Sequence, residues 1–368
     1  MLKMNALKQK KRLFYVTIIA LALVSCGKDP EPSQPYDDGV LVINAGNFLD
    51  NNGSLSLLRR DTKTADLDIF AKENARPLTG GISGYAEIDG KGLILVDNAA
   101  AGLDKVEIVN ARTLKSVATL TAPDIENPRA VVGVGTNKAY VSCWGATGSG
   151  ANFFANPGYV AVIDLTTNKL IKKIAVQKGV EGIVIVGNQA FVGGTGGDRL
   201  INVIDMARDE ATATIAAGAG NAGVLRLDAN NKIWTFVGRE AVRIDPTSRT
   251  VESRIRVGTS TTKSPGNLTM SADKRTIYFT HTFFDAADNF KQKGEMYSFN
   301  IADAVISANA PVASRVFTGL GYDPKSNLLY AGVTPSFKQA GFVFRYQPNG
   351  QLIDSVRVEI APSGFWFK

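Results

Sequence analysis

Between Asn127 and Val176 the apolar residues come in short bursts, not at helical spacing. The bursts predict four strands: Ala130–Val134, Ala139–Trp144, Tyr159–Leu165 and Leu170–Val176. Each is rich in Val, Ile, Tyr and Ala, which suit a pleated, packed surface. The breaks at 135–138 and 166–169 carry Asn, which tolerates a left-handed backbone and closes tight antiparallel turns. The middle connection, Gly145 to Gly158, is long, Gly-rich and aromatic. Four strands with two tight turns and one elaborate loop describe a β-propeller blade.

One such sheet cannot bury both faces, so copies are expected, and the chain carries them. They run over Ser83–Leu120, Val180–Ala217, Gly223–Val257, Asn267–Phe317 and Leu320–Ile360. The spacing is roughly 40 to 55 residues, as propeller blades require. An Asp or Asn usually follows the third strand (Asn110, Asp164, Asp205, Asp245, Asn300) and reads as a turn cap. The first copy holds three strands, Val40–Asn44, Ser54–Leu58 and Asp66–Phe70, while Gly364–Lys368 is left over at the other end. Pairing that strand with the first copy closes the ring and leaves only short edges. The expected fold is all-β: a seven-bladed propeller, four antiparallel strands per blade, closed by the C-terminal strand joining the first blade. No amphipathic helix is expected.

The formal net charge of +7 is misleading. Lys3, Lys8, Lys10, Lys11 and Arg12 open the chain without an acid among them, and without them the charge is +2. That argues against nucleic acid as a partner, since a binder keeps its basic excess on the fold. Lys8–Arg12 followed by the apolar Leu13–Val24 is a signal-peptide pattern, too short for a comfortable span. Its end, Ser25-Cys26-Gly27, resembles the bacterial lipoprotein signal. The resemblance implies lipidation of Cys26, with each buried CH₂ of the acyl chains contributing about 0.8 kcal/mol to an outer-membrane anchor. The expected organisation is a signal peptide over 1–25, a lipidated tether over 26–38 and the propeller over 39–368. Lys28-Asp29 and Glu31 resemble the acidic export tag of Bacteroidetes lipoproteins, which implies a cell-surface location.

Candidate chemistry is sparse. His281 is the single histidine, so a His₂ or His₃ metal centre is excluded. Cys143 reads as a buried apolar thiol, without a CxxC pair. Neither a metal nor a cofactor is expected, and no residue is assigned a catalytic role. The long connections, by contrast, fall on one face: Ala45–Gly53, Asn98–Asp104, Gly145–Gly158, Gly194–Arg199, Phe283–Gly294 and Thr334–Gly341. Insertions gathered on one face mark a binding face. They carry Phe48, Phe153, Phe154, Phe283, Phe284, Phe290 and Phe337 among several Asn. Tyr85, Arg129, Glu181, Asn221 and Asn267 are expected near the axis at the starts of innermost strands. The candidate ligand-binding set is Trp144, Phe153, Phe154, His281, Phe283, Phe284, Arg129 and Asn267, which suits a bulky, flat, amphipathic small molecule.

The opening Val40–Phe48 with Asn52–Ser56, and the third-strand phrases Gly158–Asp164 and Leu200–Asp205, resemble Bacteroidetes surface propellers of the YVTN/YncE-like class. The resemblance covers the whole chain after the tether. Some members of that class are surface lipoproteins that capture cobalamin and pass it to a TonB-dependent outer-membrane transporter. The resemblance therefore implies a corrinoid ligand and such a transporter as partner. A protein- or glycan-interaction scaffold and a propeller lyase or lactonase remain as alternatives.

Overall fold

A computed structural model describes residues 32–368. Cys26, the leader and the first part of the tether lie outside the described residues. Gln34–Lys368 forms one compact unit of seven four-stranded antiparallel sheets.

Blade 1 holds β1 (Val40–Asn44), β2 (Ser54–Leu58) and β3 (Ala65–Asp66), followed by α1 (Ile69–Asn74). Blade 2 comprises β4 (Gly81–Ile88), β5 (Lys91–Asp97), β6 (Lys105–Asn110) and β7 (Ser116–Thr121). Blade 3 comprises β8 (Pro128–Gly133), β9 (Lys138–Cys143), β10 (Gly158–Asp164) and β11 (Lys169–Val176). Blade 4 follows with β12 (Val180–Val186), β13 (Gln189–Gly194), β14 (Leu200–Asp205) and β15 (Glu210–Ala216). Blade 5 has β16 (Arg226–Leu227), β17 (Ile233–Val237), β18 (Glu240–Asp245) and β19 (Thr250–Arg256). Blade 6 has β20 (Ser264–Met270), β21 (Thr276–Asp285), β22 (Lys291–Asn300) and β23 (Ala313–Ser314). Blade 7 has β24 (Gly319–Asp323), β25 (Leu328–Val333), β26 (Phe342–Tyr346) and β27 (Leu352–Arg357).

The last strand, β28 (Pro362–Phe367), becomes the innermost strand of blade 1. It pairs antiparallel with β1 in the register Val40↔Phe367, Leu41↔Trp366 and Val42↔Phe365. Lys368 fastens the seam. Its N–H donates to the Gly39 carbonyl at 3.1 Å, and its buried ammonium meets Glu87 Oε1 at 2.6 Å.

Seven apolar clusters hold the ring, each built from two adjacent blades. In one, Tyr140 and Val160 of blade 3 pack with Ile183 and Val192 of blade 4. The second and third strands of a blade are covered on both sides, so β9 and β10 are almost wholly buried. The outermost β11 is exposed along most of its length. This explains the near-continuous apolar runs of the middle strands. The Asp/Asn turn caps form as the sequence predicts. Asp164 Oδ1 accepts from Thr166 N–H at 2.8 Å and Asp205 Oδ1 from Ala207 N–H at 3.0 Å.

Four local expectations are corrected. Asp66–Phe70 is not a strand: β3 stops at Asp66, and Asp68 caps α1 so that consecutive Ile69 and Phe70 both turn into the core. A strand would have sent one of them to each face. Phe283–Gly294 is not an open loop. The ladder of blade 6 continues through Phe283↔Lys293 to Asp285↔Lys291. Residues 34–38, given to the tether, are packed on the propeller. Tyr36 is buried and donates its hydroxyl proton to Glu73 at 2.8 Å, and Asp37 takes a forked ion pair from Arg112. Finally, Tyr85 sits mid-strand in the core between blades 1 and 2, its hydroxyl on Glu87 and its ring edge-to-face with Trp366 at 5.9 Å.

Candidate functional site

The long connections of blades 1, 2, 3 and 7 meet around the axis and are tied to one another. Asn47 Nδ2 donates to the Phe337 carbonyl at 3.2 Å, and Ala99 N–H donates to Asn51 Oδ1 at 2.9 Å. The buried Asp104 accepts from the N–H groups of Asn98 at 2.8 Å and Asn127 at 2.9 Å, joining blade 2 to blade 3. These cross-blade bonds give the rim a fixed shape, the condition for a preorganised site.

Two adjoining cavities open inside this rim. One, about 570 Å³, lies over the channel mouth, lined by Phe48, Ser83, Asp97, Arg129, Glu181 and Phe337 among others. The other, about 480 Å³, lies towards blades 2 and 3, lined by Asn98, Asp104, Asn127, Trp144 and Phe153. Phe48, Asp97 and Arg129 belong to both, so the two form one bilobed depression. Aromatic rings stand on its edge: Phe48 is 50% exposed, Phe337 56% and Phe153 39%.

The floor is charged but internally paired. Arg129 enters at the start of β8 and lays its guanidinium 3.5 Å from the Trp144 ring centroid. A terminal nitrogen of the same group pairs with Asp97 Oδ2, at the end of β5. Burial raises the Asp97 carboxyl above its ordinary value. Arg129 opposes this and the neighbouring Asp104 adds to it. Glu181 is likewise raised by burial, which Arg129 and the Thr195 hydroxyl oppose. The Trp144 indole N–H nevertheless closes no hydrogen bond, nor do Asp97 Oδ1 and Arg129 Nε. Three buried polar atoms of one cluster are thus left unpartnered, an uncommon concentration.

The predicted ligand-binding residues divide into three places. Arg129, Trp144 and Phe153 line the depression. Phe154 supports them from behind, edge-to-face on Trp144 and on Phe153, both at 5.0 Å. Asn267 lies deeper, in a narrower channel section of about 280 Å³, its amide donating to the Phe317 carbonyl at 3.3 Å. His281, Phe283 and Phe284 belong to blade 6 and line neither lobe. His281 is 1% exposed, wedged between Phe279 and Tyr297 with both ring nitrogens unpartnered. Burial lowers its pKa, with Lys263 adding to the effect and Glu295 opposing it, so the ring is neutral at pH 7. Phe283 lies under the Lys263 ammonium at 4.0 Å, and Phe284 stands exposed on the hairpin.

Asp97 is the residue the sequence reading missed. Its signal was available: an acid closes an otherwise apolar inner strand, one blade before an Arg opens the next. Cys143 is fully buried, its thiol pushed up to about 12 by burial. Among the described residues no group of three or more His, Cys, Asp or Glu is placed to hold a metal ion.

The fold has many relatives among solved structures. A quinoprotein alcohol dehydrogenase-like protein from Bacteroides thetaiotaomicron superposes with a TM-score of 0.65 at 17% identity, covering 90% of this chain and 78% of that one. Hydrazine synthase from Kuenenia stuttgartiensis superposes at 0.56 with 18% identity, covering 75% of this chain and 85% of that one. At such identity these likenesses describe the propeller scaffold alone. No curated protein matches the sequence. Residues 38–368, the whole propeller, match the family described as "Domain of unknown function (DUF5074)", and the chain belongs to that family.

Proposed function

We propose that this propeller is a non-catalytic capture protein that binds an amphipathic small molecule in the bilobed depression. The observation that carries the reading is the shared wall: one ion pair, Asp97–Arg129, and one exposed ring, Phe48, belong to both lobes. A ligand spanning the lobes would stack on Phe48, Phe337 and Phe153 and meet charged groups at the floor. That is the usual design of a small-molecule site, apolar walls with few placed polar groups. The Asn residues of the rim favour a ligand edged with amides or hydroxyls.

A corrinoid, flat and amide-fringed, fits this description and is the ligand that the sequence resemblance implies. On this reading Cys26 carries the lipid anchor, the propeller faces outward from the cell surface, and a TonB-dependent transporter receives the ligand. The exposed Leu49 and Leu103 beside the depression suit contact with such a partner. Isothermal calorimetry with cyanocobalamin tests the reading. Saturable binding is expected, weakened about tenfold in Phe48→Ala or Phe337→Ala, as for exposed aromatic anchors. Absence of heat with the wild-type protein removes the corrinoid. Binding that both rim substitutions leave unchanged removes the depression as its site.

A further inference from the structure

The axial channel has a second opening, at the tight turns on the opposite face. There it widens to a cavity of about 480 Å³, walled by Ile183, Ile185, Leu227 and Met270. Two cations join these apolar side chains, Arg226 and Lys274. Arg226 opens β16 and also lines the narrow section above, so its side chain stands on the axis between the two spaces. Its side chain is exposed within the channel.

Among the described residues no carboxylate pairs with it. Arg226 Nη1 donates to the Leu225 carbonyl at 2.8 Å. The acids on neighbouring strands and turns are committed elsewhere. Asp228 takes the Trp234 indole N–H at 2.9 Å, Asp273 accepts the Ser271 hydroxyl proton at 2.5 Å, and Asp323 pairs with Arg60 at 2.7 Å. An exposed guanidinium without a protein counter-charge is free to take an external anion, and its planar fork is shaped for a carboxylate.

We propose that this opening is a second binding site, for an amphipathic monocarboxylate. The carboxylate would sit on Arg226 with Lys274 at the rim. The alkyl or aryl tail would lie against Ile183, Ile185, Leu227 and Met270. The proposal is independent of what the opposite face binds.

Calorimetry with sodium octanoate tests it, with 1-octanol and sodium phosphate as controls. The wild-type protein should bind one octanoate saturably, and neither control comparably. Arg226→Gln should weaken octanoate binding at least tenfold, while Phe48→Ala on the other face leaves it unchanged. Should Arg226→Gln fold poorly, salt dependence in the wild type replaces it. Raising NaCl from about 0.05 to 0.5 M should weaken binding several-fold, because a charge contact is screened. The proposal is overturned by the absence of saturable octanoate binding, by equal binding of octanol, by tighter binding of phosphate, or by affinity insensitive to both Arg226→Gln and salt.

Discussion

Two arginines mark the two ends of one channel, and they are treated in opposite ways. Arg129, at the loop-rich mouth, is folded over the Trp144 ring and paired with Asp97. Arg226, towards the other opening, has a single carbonyl for a partner and no counter-charge. Both belong to an innermost strand, Arg129 at its loop end and Arg226 at its turn end. The difference comes from the neighbouring blade. Blade 2 supplies an acid at the end of β5, whereas the acids around β16 are held by Trp234, Ser271 and Arg60. A paired arginine is part of the architecture, while an unpaired one is a candidate for an external anion.

The sharpest way to break the contrast is to truncate each side chain. Arg129→Ala leaves Asp97 buried without its cation and should cost about 3–5 kcal/mol in urea unfolding, the usual penalty for halving a buried pair. Arg129→Met combined with Asp97→Asn should recover most of that loss. Arg226→Met should instead leave the thermal midpoint nearly unchanged, because an exposed side chain is replaced and no ion pair is broken. A large fall in the midpoint would show that Arg226 is structurally paired after all.

Acid titration separates two buried carboxylates that each face an arginine. Burial pushes Asp323 up, but Arg60, the Ser326 hydroxyl and the Lys325 N–H outweigh it, so its pKa is depressed. Its contribution is present above about pH 4 and lost as pH falls further. Asp97 is raised, so the folded state holds its proton more tightly than the unfolded chain. Its contribution is complete below about pH 4 and lost as pH rises through the elevated value. Asp97→Asn should therefore flatten the decline of stability above pH 4. Asp323→Asn should reduce the decline below it. The smallest stability effects belong to the rim: Phe48→Ala and Phe337→Ala should change unfolding free energy by less than about 0.5 kcal/mol. Their effect is confined to ligand affinity.

The blades were legible because the short apolar bursts rich in β-branched residues and the Asn-bearing turns between them report local chemistry. Tyr159–Leu165 against the observed Gly158–Asp164 shows how closely strand position follows from residue type. Phe70 was misplaced because its side chain fits a strand as well as a helix, and only the open end of the blade 1 core made the helix preferable. Phe283 and Phe284 were read as loop because nothing local shows that a ladder continues past the usual blade length. Their separation from Trp144 and Phe153 was equally hidden. Two aromatic clusters in long connections look alike in sequence, but one is in blade 3 and the other in blade 6.

The amino-acid order by itself determined the strands, their turns and the repeat, and through the repeat the ring and its closure by a C-terminal strand, read at Gly364–Lys368 and found at Pro362–Phe367. These follow from side-chain periodicity and backbone preferences within a few residues, which no distant neighbour needs to supply. Only the tertiary structure decided which long connections share a cavity, that Asp97 meets Arg129 across a blade boundary, and that Arg226 meets no acid. Those outcomes depend on distances between residues about 30 to 290 positions apart, and such distances exist only once the blades have been set around their axis.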